Sequence, residues 1–182
     1  SWNANAGWSS PTTGVAGTPG FECTWLGVTC DASQNHVTGL YLQASDTSGN
    51  NLAGTLPSLD ALPALQFFVA GRNFLTGPIP ALTALPALQI FVVNYNQLSG
   101  SLPSLSGLTG LQAFYADHNQ LSGNIPPLAG LTALQEFFVN NNGLTGPLPA
   151  LAGLGAVRVF VTSVNQLSGG IPSLTGLSAL RF

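Results

Sequence analysis

The chain has 182 residues, 45% of them apolar, yet only 5% are charged and none is lysine. That charge content is far below the roughly one quarter usual for soluble domains. A net charge of −3 with three arginines excludes neutralising a phosphate backbone, and so a nucleic-acid partner, and no apolar run is long enough to span a membrane.

Residues 1–36 are rich in Gly, Ser, Thr, Asn and Pro, with Trp2, Trp8, Phe21 and Trp25 as apolar anchors. They read as an N-terminal cap that covers the open end and unpaired strand edge of whatever follows, with Trp25 and Val28 as the expected plugs. The chain opens at Ser1 without an initiator Met or a charged-then-apolar leader, as a mature secreted protein does. From Val37 a first repeat begins, with Leu40 and Leu42 inward and Asn50, Leu52, Gly54, Leu56 and Pro57 in positions that recur later. Five extra residues, 45–49, lengthen the loop after its strand. This reads as a tolerated surface insertion, with a lip on the rim of a binding face as the alternative.

Leu62, Leu85, Leu108, Leu131, Leu154 and Leu177 then recur at an unbroken 23-residue spacing, the last opening a partial repeat. Apolar positions coincide from unit to unit, so that Leu65, Phe68, Ala70, Leu75, Ile79 and Leu82 become Leu88, Phe91, Val93, Leu98, Leu102 and Leu105. Such units stack into one elongated domain, with the cap at 1–36 and repeats at 37–182. Asn73, Asn96, Asn119, Asn142 and Asn165 form a column whose amides are suited to satisfy main-chain groups of the neighbouring coil. The column Gly77, Gly100, Gly123, Gly146 and Gly169 fits a turn, and the prolines three residues later bar helix on the return limb.

The pattern L-x-x-L-x-x-F-x-[AVT]-x-x-N-x-L-[ST]-G-x-[IL]-P resembles the plant-type extracellular leucine-rich repeat of receptor-kinase ectodomains and polygalacturonase-inhibitor-like proteins. Two features depart from that family: Phe68, Phe91, Phe114, Phe137 and Phe160 replace the strand Leu, and each unit is one residue short. The resemblance implies an α/β-type repeat solenoid: a right-handed superhelix with a parallel β-sheet on its concave face, a mostly irregular or extended convex side, and a disulfide N-cap. Cys23 and Cys30, in C-T-W-L-G-V-T-C, are similar to that cap, which implies a bridge between them and an oxidising, extracellular location at a cell wall or cell surface. A zinc half-site at the pair lacks partners.

Strand alternation puts Phe68 and Ala70 in the core and Phe67 and Val69 on the concave surface. One outward column is then Tyr41, Val69, Val92, Tyr115, Phe138 and Val161, and the other Gly39, Phe67, Ile90, Ala113, Glu136 and Val159. Gly71, Asn94, Asp117, Asn140 and Ser163 follow along the rungs, and beyond them Arg72, Tyr95, His118, Asn141 and Val164. A mostly apolar stripe over five or six rungs covers several hundred Å², more than a monomer usually leaves bare; against this, β-branched and aromatic residues also stack well in strands that bind nothing. The expected partner-binding residues are Phe67, Val69, Arg72, Ile90, Val92, Tyr95, Tyr115, Asp117, His118, Glu136, Phe138, Asn140 and Val161.

Catalysis is not expected, and neither a cofactor nor a metal is implied. Asp117 and Glu136 fall roughly 14 Å apart, beyond the roughly 5–9.5 Å of a glycosidase pair, and no nucleophile accompanies His118. The reading is therefore non-catalytic recognition of a protein, a peptide or a cell-wall polysaccharide. The alternative is structural self-assembly into fibres or a surface layer, favoured by the low charge, the apolar face and the lack of any N-x-[ST] sequon. The hydroxyl column Thr76, Ser99, Ser122, Thr145 and Ser168 makes an ice-binding array a weaker third reading, since these groups are expected to bond backbone in a turn.

Overall fold

The computed structural model describes residues 21–43 and 50–181. The anchors Trp2 and Trp8, the insertion 45–49 and the terminal Phe182 lie outside the described residues.

Two sheets run the length of the array. The first has seven strands in the order β1 (Val28–Cys30), β2 (Val37–Tyr41), β4 (Phe67–Val69), β6 (Ile90–Val92), β8 (Ala113–Tyr115), β10 (Glu136–Phe138) and β12 (Val159–Val161). All its pairings are parallel and join equivalent residues, such as Phe67 with Ile90 and Phe91 with Phe114, except that β1 runs antiparallel to β2. This β1, preceded by a 3₁₀ turn at Phe21–Thr24, closes the edge of the first rung. Cys23 and Cys30 are disulfide-bonded across that segment, with Cα atoms 5.6 Å apart. Val28 is buried and Trp25 half-buried against the array. Gly39, on β2, is the residue that allows this approach, because a Cβ there would lie 2.4 Å from Thr29 Oγ1.

The second sheet has six strands: β3 (Ala53–Thr55), β5 (Phe74–Gly77), β7 (Gln97–Ser101), β9 (Gln120–Asn124), β11 (Gly143–Gly146) and β13 (Gln166–Leu167). It gives the extended side of the expected irregular or extended return limb a defined form. The Leu-[Ser/Thr]-Gly segments taken for turns are strands, and their glycines hold positive φ, 72° at Gly77 and 80° at Gly100, within them. The sheet is sheared. Thr76 pairs with Gln97, Ser99 with Gln120 and Thr145 with Gln166, which are partners 21 residues apart in a repeat of 23. Among the described hydroxyls of the column, Ser122 Oγ reaches the Gly100 carbonyl at 3.5 Å and Thr145 Oγ1 reaches Asn124 Oδ1 at 3.4 Å.

Between the sheets the core is continuous. Phe68, Phe91, Phe114 and Phe137 are fully buried and, with Phe160, form a stack whose centroids are 5.0–5.6 Å apart. An offset-stacked column is a favourable arrangement for rings repeated at rung spacing, and it accounts for Phe where the family pattern has Leu. Each L-x-x-L step is a single turn, as in Leu65 N–H to Leu62 C=O at 2.9 Å, which directs both leucines inward without forming a helix. The Asn column joins the sheets. Asn96 donates to the carbonyls of Ala70, Val93 and Asn94, while its Oδ1 accepts from Leu75 N–H. Asn73, Asn119, Asn142 and Asn165 repeat that set.

Candidate functional site on the concave sheet

Because β4 to β12 pair without offset, their outward side chains line up across rungs. Phe67, Val69, Ile90, Val92, Tyr115, Glu136, Phe138 and Val161 are all half-buried on this face, each shielded by its neighbours above and below. Tyr115 stacks on Phe138 at 4.9 Å between centroids, and Tyr41 on Phe67 at 6.3 Å. Interplanar angles of 20° and 21° mean that the ring faces are turned toward adjacent rungs, leaving edges toward solvent. Tyr115 donates its hydroxyl to Glu136 Oε2. Burial first, and then this bond and the Glu136 charge, push the Tyr115 hydroxyl well above its ordinary pKa.

Just past the strands, the chain takes a left-handed residue in every rung: Arg72 (φ 55°), Tyr95 (52°), His118 (53°), Asn141 (54°) and Val164 (53°). None is glycine, so each rung carries a costly backbone state, and such states gather where side chains must be aimed. Here they aim a stack. The Arg72 guanidinium lies 4.8 Å over the Tyr95 ring, which stacks on His118 at 4.1 Å. His118 Nδ1 sits 2.8 Å from Asp117 Oδ2.

Two expected contact residues are less available than alternation suggested. Asp117 is only 6% exposed and committed to His118. Asn140 Oδ1 is buried without a hydrogen-bond partner among the described residues. Asn94, absent from the expected set, packs its Oδ1 where a Gly71 Cβ would stand, 2.4 Å away. Tyr41, 44% exposed, extends the aromatic edge one rung further. Both were visible in the repeat columns, but polarity and position at the first rung gave no reason to single them out. The carboxylates Asp117 and Glu136 pair with different groups, His118 and Tyr115, although the charges of both act on the Tyr115 hydroxyl.

No protein-family model matches the chain. Among solved structures it is similar to the BIR2 ectodomain from Arabidopsis thaliana, with 29% identity, 92% of this chain and 86% of that one covered, and a TM-score of 0.69. A chain of the BIR3–SERK2 complex from the same plant matches at 30% identity, covering 91% and 86%, with a TM-score of 0.69. The peptide hormone receptor RGFR1, in complex with RGF2, matches at 34% identity over 71% of this chain and 22% of its own, with a TM-score of 0.69. Two parallel sheets, an asparagine column and a disulfide before the first rung define a right-handed leucine-rich-repeat solenoid of ectodomain type. The chain belongs to the plant-type extracellular leucine-rich repeat family.

Proposed function

We propose that this protein is a non-catalytic extracellular recognition module that binds a protein or peptide on its concave sheet. The observation that carries the reading is the aromatic and aliphatic stripe centred on Tyr115 and Phe138, half-buried by its own neighbours and otherwise uncovered among the described residues. Its presentation bears on the partner. A sugar platform needs an open ring face, whereas these rings turn their faces to adjacent rungs and offer edges and methyl groups, which suit apolar side chains. Similar solved structures include a receptor in complex with the peptide RGF2 and the BIR3–SERK2 protein complex. The ice reading has less support, because the two-residue shear spaces equivalent hydroxyls by roughly 8 Å rather than the roughly 4.8 Å of one rung.

The test is a Tyr115→Ser, Phe138→Ser double variant, compared with wild type for melting, for sedimentation over a concentration series, and for capture from secreted or cell-wall extract. Central aromatic anchors typically lose about 2 kcal/mol or more on truncation, whereas solvent-facing residues alter folding by much less. The expected outcome is a variant that still folds cooperatively, with melting lowered by loss of the ring stack and the Tyr115–Glu136 bond, and that loses association, to a foreign partner or to another copy, at temperatures well below its melting. Unchanged association would move attention to the insertion 45–49 and the second sheet.

A further inference from the structure

We infer that the concave face is charge-polarised along one diagonal, Arg72, Asn94, Tyr115, Glu136, and selects an extended peptide with a carboxylate at one end and a cationic group at the other. This rests on the recognition reading above and names the partner chemistry. The four residues occupy successive rungs and step toward the strand start: Glu136 lies two positions before Phe138, the partner of Tyr115; Asn94 lies two positions beyond Val92, Tyr115's other partner; and Arg72 N–H donates to the Asn94 carbonyl. With strands about 4.8 Å apart and about 3.3 Å per residue, Arg72 and Glu136 lie roughly 20 Å apart, the reach of about six extended residues.

The two ends are unequal in charge and unsatisfied. Arg72 is exposed and, among the described residues, in no ion pair. Its guanidinium carbon lies 4.8 Å from the Tyr95 ring centroid, which restrains the side chain, and its N–H groups have no acidic partner among the described residues, so they can take a bidentate carboxylate. Glu136 accepts from Tyr115 through one oxygen, and a carboxylate offers about four acceptor sites, so a second donor fits. That existing bond aims the carboxylate and draws it toward the diagonal. The other acid nearby, Asp117, is turned under the surface and taken by His118, so it does not compete for the cation. Between the ends the path crosses Val92, the Tyr115 edge and Phe138, which take apolar side chains. A neutral segment would leave both charges desolvated and unpaired, which is how such an arrangement rejects it.

The test is selection of a displayed library of random linear dodecapeptides on the wild-type protein, with counter-selection on the Arg72→Ala, Glu136→Gln variant. The expected result is enrichment of sequences with an acidic and a basic residue about six positions apart around an apolar centre. Synthetic copies should bind Arg72→Glu and Glu136→Lys about tenfold or more weakly, with melting unchanged in the first and lowered in the second no further than Tyr115→Phe lowers it. Recovery of nothing above background, or of sequences without the charge pair, overturns the inference. Peptides that lose affinity for the Tyr115→Ser, Phe138→Ser variant but not for the charge variants leave the concave reading standing and remove the diagonal. Peptides indifferent to both remove the two together.

Discussion

The two sheets are built from the same repeat and differ in what the repeat leaves variable. In the second sheet β5, β7, β9 and β11 each read Leu, then Thr or Ser, then Gly, and are nearly interchangeable. In the concave sheet the core-facing Phe is constant, while the outward position before it runs Phe67, Ile90, Ala113, Glu136, Val159. Uniform positions are those where each coil must fit its copy, since backbone bonds and packing impose one solution on every rung. Variable positions answer to something outside the coil. Register sharpens the contrast: equivalents in the concave sheet face each other directly and form stacks, whereas the shear of the second sheet separates them.

The strongest test of this contrast sets the asparagine column against the hydroxyl column. Asn119 makes three donor contacts to main-chain carbonyls and accepts from Leu98 N–H, bridging both sheets of adjacent coils. Asn119→Ala strands those groups and should cost about 1–3 kcal/mol in denaturant unfolding. Ser122→Ala, three residues on, removes one long contact from an exposed side chain and should stay within about 0.5 kcal/mol. Equal effects would mean that the hydroxyls carry structural weight after all.

Within the concave face, Tyr115→Phe keeps the ring on Phe138 but deletes the donor to Glu136, and should cost about 1 kcal/mol at neutral pH. The sign of the pH effect follows from the raised pKa. The folded protein holds the hydroxyl proton past the ordinary value of 10.0 at which the unfolded chain releases it, so stability is fully present below that pH and falls as pH rises above it. Stability measured from pH 9 upward should decline more steeply in wild type than in Tyr115→Phe. Parallel curves would mean that Tyr115 titrates normally.

The solenoid was legible because its signals repeat: 23-residue spacing, the Phe column and the Asn column each appear five times. Asn73, Asn96 and their equivalents were assigned from their recurrence and their chemistry, since an amide carries two N–H donors and a separate carbonyl acceptor that can serve several backbone groups at once. The second sheet was not legible, because Gly and Ser or Thr in sequence read as turn chemistry, and nothing local shows that a neighbouring coil will pair with them. The outward set was read from alternation, which holds through Tyr115 and Phe138 but fails at Asp117, where the strand ends and the backbone turns. The Arg72, Tyr95, His118 stack was read only as one column, because nothing in three different side chains announces a shared left-handed φ.

That column also supplies the smallest expected effect. Val164 holds φ 53° and is 69% exposed, so a β-branched side chain bears the left-handed strain with little packing to offset it. One rung earlier the same position is Asn141 at φ 54°, a residue type that tolerates this region through local hydrogen bonding. Val164→Asn should therefore stabilise by about 0.5 kcal/mol, and Asn141→Val should destabilise by a similar amount, both read from denaturant midpoints at constant slope. The pair separates strain from packing. If strain governs, the two changes are opposite in sign at two rungs of one column. Destabilisation by both would show that Val164 gains from burial against its neighbours, and that the non-glycine residues of this column are kept by contact within the solenoid rather than by what the concave face presents.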